Sequence, residues 1–316
     1  MTSPKIGISS CLLGQPVRFD GGHKRDAFIT GPLAEFVEYV PVCPEAEAGM
    51  GIPRPPIRLV GDPLQPRAVG TDNSERDFTE RLQTIAERRL PDLLDLCGYI
   101  LKKDSPSCGM ERVKVYPLTH KGPAERKGSG IYAARLQQTF PWLPMEEEGR
   151  LNDPVLRENF VNRVYVQHRW RKMRAEGLTA ASLLAFHTEH KYMLMAHSQA
   201  AYQRMGRLLS KLSGVDLERV ADEYHQELMT ALKRRVNRKR HVNVLSHFLG
   251  YLKKRIDAAD KAELVTRIEA YRREEVPLVV PVTLLRDYFR RYPDDYISRQ
   301  YYLAPYPEKL GLRNAI

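Results

Sequence analysis

Three of the four cysteines occur in the same local setting, just after a short apolar run that predicts a buried strand. Glycine or proline lies close to each of them, which ends the strand and begins a loop. The cysteines and the runs before them are Cys11 after 6–9, Cys43 after 37–42 and Cys108 after 99–103. Because loops at the carboxyl ends of parallel strands meet in one crevice, we expect these three thiols to lie close together.

The separations between these cysteines, 32 and 65 residues, exclude a local zinc knuckle or a ferredoxin-type run of ligands. Brought together by a sheet, three thiolates suit a site that leaves one coordination position open. The alternative is that they are ordinary buried cysteines, since cysteine is among the most buried residue types. Cys97, at the end of a helical pattern, lacks the strand-and-turn setting, and we interpret it as a core residue.

A carboxylate accompanies one of these thiols, because Glu45 follows Cys43 by two residues on the same loop. This places an acid/base candidate beside a metal-ligand candidate. The proline-rich stretch 51–58 that follows predicts a rigid extended loop. Its arginines, Arg54 and Arg58, either face a bound anion or are simply solvated.

Strand and helix patterns alternate through residues 1–150, which predicts an α/β domain with a Rossmann-like parallel sheet and covering helices. A long helix is expected between Asp77 and Leu96. Another is expected from Ile131, and its glycine-flanked start is of the kind that can hold a phosphate. Prolines and an acidic run then mark a boundary near residue 150.

The remainder of the chain, 151–316, has a helical pattern and predicts an all-α domain. Helix starts are predicted at residues such as Thr179 and Asp216, and helix ends at residues such as Gly177 and Gly214. We expect helices over 154–176, 179–211, 216–236, 240–256, 259–275 and 281–291. The C-terminal tyrosines either stack on nucleic-acid bases or cover the core.

All of the excess positive charge lies in this second half. Residues 1–150 hold 20 basic and 20 acidic side chains, whereas 151–316 hold 30 and 19, which accounts for the net charge of +11. Six of the eight residues in 233–240 are basic, which favours nucleic-acid binding over a merely solvated face. The RNA-binding candidates are Arg234, Arg235, Arg238, Lys239, Arg240, Lys253 and Lys254.

Three histidines, His187, His190 and His197, are predicted to share a helical face. Core polar contacts or phosphate contacts are the preferred interpretation, since no additional ligand beyond Glu189 is evident for a metal. The chain shows no signal-peptide pattern and no apolar run of membrane-spanning length. We therefore expect a cytoplasmic protein with no membrane partner, in which the cysteines serve metal or catalytic chemistry rather than disulfides.

Four motifs in residues 3–148 resemble the thiouracil desulfidase (TudS) family. They are Ser9-Ser10-Cys11-Leu12-Leu13-Gly14, Val17-Arg18-Phe19-Asp20-Gly21, Cys43-Pro44-Glu45 through Arg54, and Lys103-Asp104-Ser105-Pro106-Ser107-Cys108-Gly109. The second half, with Phe186-His187-x-x-His190-Lys191 and His241 through Lys254, resembles the YbgA-like domain. The two-domain arrangement is similar to the RudS group of tRNA 4-thiouridine desulfidases.

The resemblance implies a [4Fe-4S] cluster on Cys11, Cys43 and Cys108, and acid/base roles for Glu45 and Ser105. Asp20 is the second candidate for the carboxylate role. Phe19 stands where the family often has tyrosine, a change that we do not expect to matter. For the YbgA-like domain the resemblance implies binding of thiolated tRNA.

The expected function is therefore removal of sulfur from 4-thiouridine in tRNA, by a non-redox hydrolytic reaction at a cluster with an open iron. One alternative keeps the enzyme but makes free thiopyrimidine bases such as thiouracil the substrate. Another is an iron–sulfur redox sensor whose helical domain binds nucleic acid.

Overall fold

The computed structural model describes residues 3–118, 122–212, 214 and 216–316. The chain forms two compact units, Met1–Asn152 and Asp153–Ile316. The first unit combines strands and helices, and the second is helical. This confirms the expected fold class, an α/β domain followed by an all-α domain.

A four-stranded, all-parallel sheet with the order β2-β1-β5-β8 is the centre of the first unit. Its strands are short and mostly apolar, and β1 and β5 are buried over nearly their whole length, as expected for a sheet covered on both faces. The strands are β1 Lys5–Ser9, β2 Glu38–Val42, β5 Gly98–Leu101 and β8 Met145–Glu147.

A second sheet, of mixed direction, was not predicted from the sequence. Its order is β4-β3-β6-β7, in which β3 pairs antiparallel with β4 and parallel with β6, and β6 pairs antiparallel with β7. Strand and helix therefore do not alternate throughout, and part of the expected proline-rich loop is the strand β3. These strands are β3 Ile57–Val60, β4 Arg67–Gly70, β6 Val113–Tyr116 and β7 Glu125–Gly128.

Two helices share their apolar side chains between the two sheets. α3 (Thr79–Arg89) contributes Leu82 to the core of the second sheet and Ala86 to that of the first. α4 (Ile131–Thr139) is divided in the same way. The expected long helix from Asp77 to Leu96 is shorter, because Pro91 ends it and a 3-10 turn, Pro91–Leu93, follows. The remaining helices of this unit are the short α1 (Ala27–Thr30) and α2 (Pro44–Glu47).

The second unit is helical, and buried apolar side chains between Tyr192 and Leu303 form a core within it. The expected single helix 179–211 is three helices, since the chain leaves helical geometry at His190 and at Ser198. The other expected helices exist with slightly different ends. The helices are α5 Pro154–Ala175, α6 Ala180–Glu189, α7 Lys191–His197, α8 Gln199–Leu209, α9 Leu217–Leu232, α10 Arg238–Leu252, α11 Ala258–Arg272, α12 Val279–Arg291 and α13 Asp295–Ser298.

Four of the C-terminal tyrosines belong to this core rather than to an exposed stacking surface. Tyr288 and Tyr302 are buried, and Tyr292 and Tyr296 pack against the same cluster. Among the described residues, no helix is long and apolar enough to span a membrane.

Candidate functional site

Cys11, Cys43 and Cys108 line one cavity of about 630 Å³ at the carboxyl ends of three neighbouring parallel strands. Cys11 lies in the 3-10 turn Ser10–Leu13 after β1, and Cys43 is the N-cap of α2 directly after β2. Cys108 lies in the loop after β5. The structure therefore brings together the three thiols that the sequence singled out, and none of them forms a disulfide.

Burial keeps these thiols from ionising in the absence of a positively charged partner. Loss of hydration raises the pKa of Cys11 to about 11 and that of Cys108 to about 12, and it also raises the pKa of Cys43. The proximity of Cys43 adds to the shift of both others, because two thiolates would repel each other. Cys97 is buried immediately before β5, at the opposite end of the strand, and its N–H donates to the Lys5 carbonyl.

A chain of hydrogen bonds connects Glu45 to Ser105 through a residue that the sequence analysis did not single out. Ser107 Oγ donates to Glu45 Oε1 at 2.6 Å, and the Ser105 and Ser107 hydroxyl oxygens lie 3.0 Å apart. Because Ser107 donates its one hydroxyl proton to Glu45, it accepts from Ser105, whose Oγ in turn accepts from the N–H of Cys108. The two candidate acid/base groups are thus linked by Ser107.

The other oxygen of Glu45 is held by a buried arginine. Arg54 Nη2 and Nε donate to Glu45 Oε2 at 2.7 and 3.0 Å, and the Arg54 side chain is only 3% exposed. The same guanidinium donates to the carbonyls of Val17 and Gly51. Arg54 is therefore neither solvated nor directed at a bound anion. It fixes the carboxylate and two loops in one arrangement.

The start of α4 holds the Ser105–Cys108 loop and is not a phosphate site. The N–H groups of Ile131, Tyr132 and Ala133 donate to the carbonyls of Pro106 and Ser107, which satisfies the first turn of the helix. Gly130 makes this approach possible, since a Cβ at that position would lie 2.5 Å from the Ser107 carbonyl. The phosphate interpretation of this helix start is wrong.

Asp20, the second carboxylate candidate, is not brought into the cavity. Its side chain is 49% exposed and forms an ion pair with Arg18 at 3.4 Å, and it does not appear among the cavity-lining residues. A hydrogen bond from the Gly22 N–H is the main influence that holds the pKa of Asp20 below its ordinary value. The position and the ionisation of Asp20 both argue against an acid role.

In the second unit the basic candidates divide into two groups. Arg238 donates to the Tyr271 carbonyl and lies over its ring, and Arg240 donates to the His197 carbonyl, so both serve the fold. Within the described part of the chain no ion pair involves the others, which are exposed. These exposed side chains are Arg234, Arg235, Lys239, Lys253 and Lys254.

The three singled-out histidines have separate structural partners. His187 Nδ1 lies 3.2 Å from the Tyr224 hydroxyl, His190 Nδ1 lies 2.8 Å from the Phe186 carbonyl, and His197 Nδ1 lies 2.6 Å from the Arg234 carbonyl. Across the described residues no group of three histidine, cysteine or acidic side chains is arranged to hold a single metal ion. The histidines therefore make core polar contacts.

These features define the class of the protein: an α/β unit with a thiol-lined cavity at the carboxyl edge of its parallel sheet, followed by a helical unit. Residues 6–148 match the family described as 2-thiouracil desulfurase, and residues 191–307 match a family described as a protein of unknown function (DUF1722). The chain belongs to the family of proteins that join a 2-thiouracil desulfurase domain to a YbgA-like DUF1722 domain.

Two similar proteins each match about half of this chain. The uncharacterized protein YbgA of Escherichia coli (strain K12) is 31% identical over 154 residues, which are 48% of this chain and 91% of YbgA. The solved structure of the [4Fe-4S]-dependent thiouracil desulfidase TudS is 30% identical, with a TM-score of 0.39, and the match covers 48% of this chain and 95% of TudS.

Proposed function

We propose that the first unit replaces the thiocarbonyl sulfur of a thiolated uracil by oxygen, with 4-thiouridine in tRNA as the substrate. The observation that carries this proposal is the convergence of three thiols, a fixed carboxylate and two linked hydroxyls on one cavity. The family match in residues 6–148 supports the chemistry. The reaction exchanges C=S for C=O, takes the oxygen from water and releases the sulfur at the oxidation level of sulfide, so the carbon keeps its own oxidation level.

The residues present fit a [4Fe-4S] cluster held by Cys11, Cys43 and Cys108. Cys11 and Cys108 are buried, Cys43 is half-buried, and all three thiols have raised pKa values, so they need a cationic group to become thiolates. When bound, a cluster with three protein ligands supplies a thiophilic, Lewis-acidic iron. The reducing cytoplasm is the compartment that we propose, because the thiols must stay unoxidised.

The protein's own contribution is to place and move protons beside the thiocarbonyl group. Glu45 is held in one orientation by Arg54 and accepts the Ser107 proton, so it can serve as the proton acceptor when water is activated. Ser105 lines the cavity and is linked to Glu45 through Ser107, so a proton can pass between the substrate side and the carboxylate.

The choice of tRNA over a free base rests on charge in the second unit. The stretch 228–256 contains nine lysines and arginines and no acidic residue. Five of the seven predicted RNA-binding side chains in it are exposed, and in the described residues no acid pairs with them. A surface of this kind is suited to phosphates. A free thiopyrimidine would not use it.

The test is to incubate anaerobically reconstituted protein with thiolated tRNA and, separately, with free 4-thiouracil, and to follow the loss of thione absorbance. We expect turnover of the tRNA with a kcat/KM at least about tenfold above that of the free base. Turnover confined to the free base would assign the smaller substrate. Absence of turnover on both, with nucleic-acid affinity that changes with cluster oxidation, would favour a sensor.

Cys97 provides a control for the assignment of the three cavity cysteines as cluster ligands. Cys43→Ser should lose most of the bound iron, because it removes one of three ligands from the cavity. Cys97→Ser should keep the iron, because Cys97 lies at the other end of β5. Iron content and visible absorbance measure both, and a normal iron content in the Cys43 variant would contradict the assignment.

A further inference from the structure

Ser9 is a buried hydroxyl at the carboxyl end of β1, in the wall of the thiol-lined cavity. It is the last residue of β1, two positions before Cys11, and it is only 3% exposed. The loop that carries Cys108 follows β5, which pairs with β1 in parallel. Ser9 therefore lies where the first strand meets the loop of another cavity thiol.

The hydroxyl of Ser9 already accepts one hydrogen bond from the backbone. The N–H of Lys102, the first residue after β5, donates to Ser9 Oγ at 3.0 Å. The side chain makes no capping hydrogen bond to the 3-10 turn that follows it. A buried hydroxyl is rarely left without an acceptor for its own proton. The proton of Ser9 is therefore available to an acceptor in the cavity.

The sulfur of Cys108 is this acceptor. Burial raises the pKa of the Cys108 thiol, and the Ser9 hydroxyl acts against that rise, as a hydroxyl does when it donates to a thiolate. Ser107 Oγ also lies 3.7 Å from Cys108 Sγ, but Ser107 donates its one proton to Glu45 at 2.6 Å. Ser9 is thus the hydroxyl that remains for Cys108.

The other two cavity thiols have different support. Lysine and arginine side chains act on Cys11, and backbone N–H groups at the start of α2 act on Cys43. The charges that act on Cys108 are those of Glu45 and Cys43, which both oppose a thiolate there. A single side-chain hydroxyl therefore matters more for Cys108 than for the other two.

We propose that Ser9 is a positioning residue that donates an O–H···S hydrogen bond to Cys108 when the cluster is bound. The inference rests on the proposed assignment of Cys108 as a cluster ligand and deepens it. Hydrogen bonds to the sulfurs are among the influences that set the reduction potential of an iron–sulfur cluster. This bond draws electron density from the thiolate, which makes the cluster easier to reduce and its open iron a stronger Lewis acid.

The reduction potential of the cluster tests the proposal without any turnover. Anaerobically reconstituted full-length wild-type protein and Ser9→Ala should be titrated with dithionite and followed by visible absorbance. We expect a normal iron content in Ser9→Ala and a midpoint at a more negative potential. At a fixed potential the ratio of reduced to oxidised cluster should fall by about three- to tenfold. Ser9→Thr keeps the hydroxyl and should keep the wild-type midpoint.

A second measurement separates the O–H···S bond from the support that Ser9 gives to the Lys102 N–H. In resonance Raman spectra the iron–thiolate bands of the wild-type protein should shift on transfer to D₂O, because O–D replaces O–H in this bond. The shift should be smaller in Ser9→Ala and unchanged in Ser9→Thr. A residue that only held the loop would not alter this isotope effect.

Ser129→Ala is the matched control. The Ser129 hydroxyl donates to the Met110 carbonyl at 2.9 Å, in the loop that carries Cys108, and Ser129 does not line the cavity. Its removal should leave the potential and the isotope shift as in the wild type. An equal change in Ser9→Ala and Ser129→Ala would assign the effect to the loop and overturn the proposal.

An unchanged potential and isotope shift in Ser9→Ala, at the wild-type iron content, would also overturn the proposal. If Ser9→Ala does not retain the cluster, Ser9→Thr decides. A wild-type potential and isotope shift in Ser9→Thr would support the hydrogen bond, and a more negative potential would contradict it. Failure of the proposed function is a separate outcome, which would show as absence of turnover on every thiolated substrate while the Ser9→Ala difference in potential persists.

Discussion

Glu45 has both carboxylate oxygens occupied, one by the buried Arg54 and the other by Ser107. A carboxylate held in this way cannot rotate toward alternative partners, so its orientation toward the cavity is fixed before any substrate arrives. Removing Arg54 would leave a largely buried charge unpaired, which costs several kcal/mol. At the residue scale, the carboxylate of Glu45 is therefore positioned by Arg54 and linked to the two serines.

Breaking this link should impair turnover without loss of the cofactor. Ser107→Ala removes the hydroxyl between Ser105 and Glu45, and we expect kcat to fall by at least about tenfold, within the range of acid–base effects. Glu45→Gln should cost about a hundredfold or more. Iron content should stay normal in both variants. Single-turnover assays on thiolated tRNA and iron analysis measure these effects.

Ser129→Ala is the control for Ser107→Ala, because the Ser129 hydroxyl donates to the Met110 carbonyl and does not line the cavity. Equal activity of Ser107→Ala and Ser129→Ala would show that protons reach Glu45 by another route.

At the element scale, the carboxyl ends of β1, β2 and β5 were predictable because apolar runs ended at glycine or proline beside a cysteine. The second sheet was not predictable. Its strands are four residues long, and β7, with the sequence Glu-Arg-Lys-Gly, has no apolar alternation. The link between Glu45 and Ser107 was also hidden, since 62 residues separate them and only the folded sheet brings them together.

α10 illustrates a second limit of the sequence analysis. The basic run 233–240 crosses the helix start, where the Asn237 side chain accepts from the Arg240 N–H. Sequence alone could not separate the cations that anchor this start, Arg238 and Arg240, from those that point to solvent. The structure makes that separation, and the RNA-binding prediction should be tested only on the exposed residues.

We predict that replacing Arg234, Arg235 and Lys239 together by glutamine weakens tRNA binding and flattens its dependence on salt. Three lost phosphate contacts should lower the slope of log K against log salt by about 2 to 3. Titrations with tRNA at several salt concentrations measure both quantities.

The matched control replaces Arg267, Arg272 and Arg290 by glutamine. This removes the same charge from side chains that pair with Glu263, Glu269 and Asp287. An equal change in the two triple variants would mean that only net charge matters, and no change in either would place the RNA elsewhere.

At the scale of the whole molecule, five histidines of the second unit have lowered pKa values. Burial lowers the pKa of His187 and His197 to about 4 and that of His190 and His225 to about 3. It also lowers the pKa of His241 well below its ordinary value. Nearby arginines add to the effect for several of these histidines. Above pH 6.5 these groups are neutral in both the folded and unfolded states and do not affect stability. Below pH 6.5 the unfolded chain gains protons that the folded chain does not.

The free energy of unfolding of the second unit should therefore fall as the pH is lowered from about 7 to about 5.5, by on the order of 1 kcal/mol for each such histidine. Urea titrations at the two pH values, with hydrogen exchange of the α9 amides as the readout, measure this fall in the free energy of unfolding. In His225→Gln the new amide can still donate to Gln167, as His225 does at 2.6 Å. The pH dependence of the free energy of unfolding should therefore decrease by about the contribution of one histidine. A stability independent of pH over this range would contradict the neutral, buried state.

The close packing of the Ser105–Cys108 loop against Gly130 limits which residues can occur at position 130. A Cβ at Gly130 would lie 2.5 Å from the Ser107 carbonyl and 2.8 Å from the Cys108 N–H nitrogen, and neither backbone atom can move without displacing a thiol and a hydroxyl together. We therefore expect any substitution there to lower iron retention and turnover together. A position more than 20 residues downstream of the loop, in another element, should tolerate no other amino acid. In a saturation library selected for desulfidation, glycine alone should survive at residue 130, whereas Gly250, with open space around it, should accept many replacements.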